Sequence, residues 1–320
     1  MPLWTDVLLV VNTIFGISTE IGHLPLPYLS THNRTSICDI RSDSPSTTVD
    51  RIRERCGASI INVDQGPEPR EWEVPTGVLH FVDGKGLEGR LKRVQLWVDD
   101  AKGDGGAVGW INQGKLEGMD RHWQGRESEM VDDKTVKGLM STRGRGAENE
   151  NRPLLVQCKC QRVRFEVNRP DEIHNNGTGK YASSLDACTS CRTVTGFEIT
   201  SWTTVPKEVI AAGMDLDTFL GDSFKLGHYL SSSNTSRYFC TTCGATVFYY
   251  RHGNDTIDIA SGLFEPDLEG AVRVEAWLEW KKVSENASTD FVSFQGDAID
   301  TQFVNNVAEG MKAWEKQIRT

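Results

Sequence analysis

The cysteines constrain this chain more than any other feature. Of eight, six fall in three tight pairs: Cys158-x-Cys160, Cys188-x-x-Cys191 and Cys240-x-x-Cys243. Disulfide frameworks usually scatter cysteines, because closing a long loop is what stabilises. Tight pairs instead point two thiolates at one centre, as tetrahedral zinc requires. In Cys240-Thr-Thr-Cys243-Gly244 the glycine lets the backbone turn tightly around a metal, as in a zinc knuckle. Two such elements make a closed four-cysteine site, and the third pair is left with two thiolates. Zinc bound by some of these six is the expectation, against disulfides or free buried thiols. A thioredoxin-type redox role for Cys188 and Cys191 is disfavoured, because that motif opens a helix after a strand in a βαβ unit and no such pattern surrounds it.

A repeat organises the rest. "RCGASIINVD" (55–64) resembles "TCGATVFYYR" (242–251), and "VPTGVLHFVDGKGLEGRLKRVQLWVDD" resembles "IASGLFEPDLEGAVRVEAWLEW". Cys-Gly-Ala, Gly77 or Gly262, Leu-Glu-Gly, and Trp97 or Trp277 recur in the same order, which reads as two related units. The copies are unequal. Aligning Cys56 with Cys243 puts Arg53 where Cys240 stands, and upstream of Cys56 only a lone Cys38 is found. The first unit therefore reads as a degenerate, metal-free remnant, truncated at its front, that serves as a packing partner for the second. The expected organisation is an N-terminal apolar segment (1–30), a degenerate half domain (31–114), a polar linker (115–152) and the second unit with a C-terminal helix (153–320).

The second unit is strand-rich. In "VRFEV", Val163, Phe165 and Val167 alternate with Arg164 and Glu166, the mark of a half-buried strand. "FEITSWTTVP", "TVFYY", "TIDIASGLF" and "AVRVEAWLEW" add β-branched and aromatic runs between turn signals. At the tail, Ile299, Phe303, Val307, Met311 and Trp314 recur at helical spacing and are expected to pack in the core.

Composition narrows the function classes. With 38% hydrophobic and 25% charged residues the chain reads as soluble and globular, and a net charge of −10 argues against a nucleic-acid or anionic-membrane binder. The apolar stretch 7–17 is short for a membrane span and is broken by Asn12, and its flank carries Asp6 rather than the basic residues of a signal peptide. It reads as a buried or partner-packed segment. Asn-x-Ser/Thr sequons at Asn33, Asn176, Asn234, Asn254 and Asn286 matter only in a secreted chain. The expected location is cytoplasmic, with no nucleic-acid or membrane partner.

The motifs Cys158-Lys-Cys160, Cys188-Thr-Ser-Cys191-Arg192 with Gly196, and Phe239-Cys240-Thr-Thr-Cys243-Gly244 resemble the glutathione-dependent formaldehyde-activating enzyme (GFA)/centromere protein V (CENP-V) family. "SWTTVP" and "SGLFEPD" sit where that family has similar stretches, and the resemblance spans about 153–300. It implies a mainly β, zinc-stitched β-tent fold, preceded here by the degenerate copy and followed by a short C-terminal helix. It also implies a structural zinc on Cys158, Cys160, Cys240 and Cys243. The family's central motif, usually C-x-C-x-x-C, would hold a second, catalytic zinc on three thiolates with an open position. Here Asp186 replaces the first of those cysteines, and Ala187 the histidine that usually follows it.

Carboxylate oxygen is an acceptable zinc ligand, so Asp186, Cys188 and Cys191 supply the three ligands of a catalytic site. The contrary reading pairs Asp186 with Arg192 and leaves two cysteines that hold no stable zinc. Arg192 is a candidate to orient a substrate carboxylate, or else caps a loop. His228 is a candidate acid/base or ligand, or a plain surface or core histidine. The resemblance thus implies a carbon–sulfur lyase acting on an adduct of glutathione or another thiol with an aldehyde. The altered motif leaves formaldehyde itself open. The alternative is a non-catalytic interaction module, retaining only the structural zinc, with a protein partner or as a homodimer.

Overall fold

A computed structural model of the protein describes residues 6–10, 17–21, 61–62, 71–73, 77, 91–142, 152–170, 178–210, 216–222, 225–265, 271–280 and 291–319. Among these, β1 (Asp6–Val10), β2 (Ile17–Ile21), β3 (Ile61–Asn62), β4 (Glu71–Glu73) and β5 (Leu91–Gln95) form one sheet in the order β3-β4-β1-β2-β5. The N-terminal apolar stretch thus contributes β1, which runs antiparallel to β2 with Val7 opposite Ile21 and parallel to β4. Cys38, Cys56 and Arg53, on which the lost knuckle rests, lie outside the described residues, as do the sequons at Asn33, Asn176 and Asn286.

The stretch expected as a polar linker carries structure over its first part. Helix α1 (Asp133–Ser141) is capped by Asp132, whose carboxylate accepts the Thr135 N–H at 2.8 Å. Leu116, Val131 and Leu139 are buried, and Arg121 reaches the Ile111 carbonyl at 3.0 Å. Three apolar residues this far apart make no readable period, and Val131 and Leu139 join a small core with Val98 and Val108.

In the second unit, β6 (Leu154–Gln157) and β7 (Arg164–Val167) form an antiparallel hairpin, with Val163, Phe165 and Val167 inward as their alternation requires. Then follow β8 (Tyr181–Asp186), helix α2 (Thr189–Thr195), β9 (Thr200–Pro206), helix α3 (Leu216–Gly221), β10 (Leu226–Ser232), β11 (Thr235–Cys240), β12 (Thr246–Arg251) and β13 (Thr256–Ala260). β14 (Leu278–Trp280) and β15 (Val292–Ser293) precede helix α4 (Thr301–Arg319). The large sheet runs β10-β11-β12-β13-β9-β8-β14 and is antiparallel from β10 to β8; β14 and β15 both lie parallel to β8. The fold is mainly β, as expected.

One face of this sheet carries the core. Phe248 stacks with Phe165 and Phe219, at centroid distances of 5.4 and 6.1 Å. Helix α4 buries Phe303, Val307, Met311 and Trp314 of the expected stripe and also Val304, Ile299 is buried just ahead of it, and Trp314 meets Trp110 edge-on at 5.7 Å. Trp110 in turn meets Trp280 at 4.9 Å. Asp300 caps α4 by accepting the Phe303 N–H at 3.0 Å, and also pairs with Arg93 of β5 at 3.0 Å. Arg93 lies 2.9 Å from the buried Glu198 and 3.6 Å above the Phe303 ring, so one guanidinium ties the first sheet to both α4 and the segment after α2.

Gly310 makes this helix packing feasible, since a Cβ there would overlap the Trp110 carbonyl. Gly310→Ala is expected to lower unfolding free energy by about 1–3 kcal/mol despite the better helix propensity of alanine. Chemical denaturation checks this, and a stability gain would show that α4 does not pack as described.

Candidate metal centre

The first cluster forms where two turns meet. Cys158 ends β6 and accepts the Val163 N–H on its sulfur at 3.4 Å, so the hairpin turn folds around the thiol. Cys240 ends β11 and accepts the Thr242 N–H at 3.4 Å, and Gly244 completes that turn with φ +72°. The Sγ–Sγ separations are 3.5 Å for Cys158–Cys160 and 3.6 Å for Cys160–Cys240, with all four sulfurs within 4.8 Å of one another. Tetrahedral zinc with Zn–S near 2.3 Å needs sulfurs about 3.8 Å apart, and a disulfide needs about 2 Å. The donor set and spacing fit a closed zinc site.

The second cluster is built at the end of β8. Asp186 turns the chain by accepting the Cys188 N–H on Oδ1 at 2.8 Å, while Ser293 Oγ on β15 lies 3.1 Å from Oδ2. Cys188 then caps α2, its sulfur accepting the Cys191 N–H at 3.2 Å. One carboxylate oxygen and both sulfurs lie within 4.8 Å of one another. The pairing of Asp186 with Arg192, the contrary reading, is not formed.

The Cys188 motif opens a helix after a strand. Its threonines are weak helix formers, but Thr193 and Thr195 bond back to the carbonyls of Thr189 and Cys191, and Gly196 ends the helix at φ +79°. The next strand, β9, is antiparallel to β8, so the unit is not the βαβ of a thioredoxin.

Arg192 faces away from the cluster. It is 2% exposed and donates to the Gly77 carbonyl at 2.7 Å and to the Asp297 carbonyl at 3.3 Å. Gly77 returns its own N–H to the Gly196 carbonyl at 2.9 Å, and a Cβ on it would lie 2.5 Å from the Arg192 carbonyl oxygen. Arg192 is therefore a strut between the first unit and the helix that carries Cys191. His228 is exposed on β10, stacks on Tyr238, and belongs to neither cluster.

Two residues at the second cluster escape sequence reasoning. Ser293 is one serine in a two-residue strand and gives no signal. Arg237 lies inside β11, 2% exposed, and its Nη2 donates to Cys191 Sγ at 3.3 Å and Ser190 Oγ at 3.2 Å. A charged residue three before the knuckle, within a strand, is the signal that could have found it.

Titration behaviour follows from this packing. At the second cluster Cys191 is pushed up, first because its thiol donates to Cys188 and then by burial; Cys188 is lowered, first because it accepts that bond. At the first, burial pushes Cys158 up to about 12 and also raises Cys240. Burial opposes the Cys160 thiolate too, but the Arg162 N–H and the neighbouring thiols outweigh it and hold that thiol below its usual range.

Residues 154–280, which contain every member of both clusters, match the family model described as Glutathione-dependent formaldehyde-activating enzyme. Over these residues the chain is similar to that family. Among solved structures, one match is the crystal structure of a Rhodobacter sphaeroides protein, a structural-genomics target. It is 16% identical, covers 39% of this chain and 99% of that one, and has a TM-score of 0.26. No curated protein matches the chain. Among the described residues, no helix is long and apolar enough to cross a membrane.

The closed cluster has a definite pH signature. Zinc takes thiolates, yet Cys158 and Cys240 hold their protons at neutral pH in the metal-free chain. Binding must expel those protons, so affinity falls as pH falls, by about tenfold per pH unit for each proton displaced. Chelator competition from pH 6 to 8 is expected to show this slope. A flat profile would exclude thiolate ligation.

Proposed function

We propose that this chain is a zinc-dependent, carbon–sulfur lyase-like enzyme acting on an adduct of a thiol, such as glutathione, with an aldehyde. In this reading Cys158, Cys160, Cys240 and Cys243 hold a structural zinc, while Asp186, Cys188 and Cys191 hold a second. The observation that carries it is the convergence of the Asp186 carboxylate and two sulfurs that the closed cluster does not use. Three protein ligands are what a catalytic zinc keeps, and zinc there would supply Lewis acidity and a lowered thiol pKa to a substrate in the open position.

The chain's own groups fit that task. The Cys188 N–H and Ser293 Oγ fix the orientation of the Asp186 carboxylate, the support that ligating carboxylates need. The Cys191 N–H orients Cys188, and Arg237 supplies positive charge against Cys191. Trp202 and Tyr249 flank that guanidinium, at 5.8 and 4.8 Å from its carbon. The buried Trp202 restricts water on this side. Asp186 in place of a thiolate makes the centre a harder and stronger Lewis acid, less tightly held.

Metal analysis of the purified full chain tests the reading. Two zinc per chain are expected, falling to one in Asp186→Ala and Cys188→Ala with the fold retained. A native chain holding one zinc, unchanged by either substitution, would favour the interaction-module alternative. Cys240→Ala is expected to unfold the second unit, because structural zinc contributes its binding energy to folding. A native-like Cys240→Ala chain would overturn the structural assignment.

A further inference from the structure

Arg237 has more hydrogen-bonding capacity than the fold uses. It sits in a row across the large sheet, with Tyr229, Arg237, Tyr249, Asp258 and Thr204 successively opposite one another on β10, β11, β12, β13 and β9. The same register puts Ala182 opposite Thr204, four residues along β8 from Asp186 and on its face of the sheet. The row therefore forms one continuous platform with the second cluster. On it, Nη2 alone holds Cys191 and Ser190. Nε and Nη1 are buried and have no hydrogen-bond partner.

Buried, unpaired guanidinium donors are costly. Asp258 makes no hydrogen bond to them and instead accepts the Thr204 hydroxyl at 2.6 Å, although the Arg237 charge acts on its carboxylate through space. A residue needed only to steady Cys191 would require one donor. The aromatic flank of Tyr249 and Trp202 holds the guanidinium plane without using its N–H groups. Arg192, the other arginine near the cluster, is committed to the carbonyls of Gly77 and Asp297.

We infer that Arg237 binds the anionic end of the substrate, and that the substrate class is therefore a short thiol acid or its aldehyde adduct. The inference rests on the reading of Asp186, Cys188 and Cys191 as an open metal site. Because Arg237 touches Cys191, a proposed ligand, any carboxylate it holds lies within a few bonds of a sulfur in the open position. In a mercaptoacid one or two carbons separate the two groups. In glutathione the nearest carboxylate is separated from the cysteine carbon skeleton by a further residue. Charge-assisted bonds from the otherwise unpartnered donors would satisfy them and select acid over alcohol.

The test uses the cobalt(II)-substituted full chain, titrated with 3-mercaptopropionate and with 3-mercaptopropan-1-ol while the thiolate–cobalt charge-transfer band is followed. The acid is expected to bind roughly 10- to 100-fold more tightly, the range set by hydrogen bonds to a charged group. That preference is expected to collapse in Arg237→Gln and survive in part in Arg237→Lys. Equal affinities in the unsubstituted chain would overturn the role of Arg237 and leave the metal site standing. So would a preference unchanged in Arg237→Gln. A band that responds to neither thiol would overturn the open metal site itself and this inference with it. If Arg237→Gln fails to load cobalt, the acid–alcohol comparison in the unsubstituted chain and in Arg237→Lys still decides.

Discussion

The meeting of four sulfurs at the ends of β6 and β11 is the contact on which the second unit's geometry depends. Cys160 and Cys240 are 80 residues apart in sequence, yet their sulfurs lie 3.6 Å from each other. The β6–β7 hairpin is a separate two-stranded sheet. The cluster holds it to the large sheet together with isolated bridges such as Val156 to Phe264 and the burial of Phe165 under Phe248. The same knuckle fixes where β11 ends. Arg237, three residues earlier on that strand, is brought by this register onto Cys191, so the closed cluster positions a group of the other one. Crowding four thiolates together is unfavourable unless a cation balances their charge, which is why metal binding and folding are one process at such a site.

Support for the second cluster comes from further away. Asp186 is held between a backbone N–H of its own turn and Ser293, which arrives from beyond β14. Helix α2 has weak intrinsic propensity and is held by its end contacts. Gly77, from the first unit, accepts from Arg192 and donates to Gly196 at the helix C-terminus. The first unit thus contributes to the cluster through backbone contacts, whatever the fate of its own cysteines. Arg93 does the same on a larger scale, joining β5 to Glu198 and Asp300. These contacts make Gly77 and Arg93 supports for the segment around the site.

Much of the fold was legible because it is written in local periods. The alternation in 163–167 gives β7, and the stripe from Phe303 to Trp314 gives α4. Burial between 115 and 142 was not legible, because its apolar residues are widely spaced in a polar stretch, and Val131 and Leu139 become core only by packing with Val98 and Val108 as well as Trp123, Val136 and Met140. Helix α2 was missed because propensity disfavours it, while the cap at Cys188, the glycine at 196 and the tertiary strut favour it. From its place beside the motif, Arg192 was read as a substrate contact or a loop cap. Helical geometry turns it instead to the opposite side, into contact with Gly77 and Asp297.

Spacing along the chain determined what can be made within a few residues: three pairs of thiols, the tight turn after Cys243, and a carboxylate two residues before Cys188. Short separations leave the backbone few ways to place two side chains, so these features hold whatever the rest of the chain does. Which pairs combine, where the Asp186 carboxylate points, and which arginine meets the sulfurs were decided by the tertiary structure alone. Those outcomes depend on the register between β11, β12 and β9 and on contacts from Gly77 and Ser293. Strand register across such distances is set by the whole buried face of the sheet, which no local motif encodes.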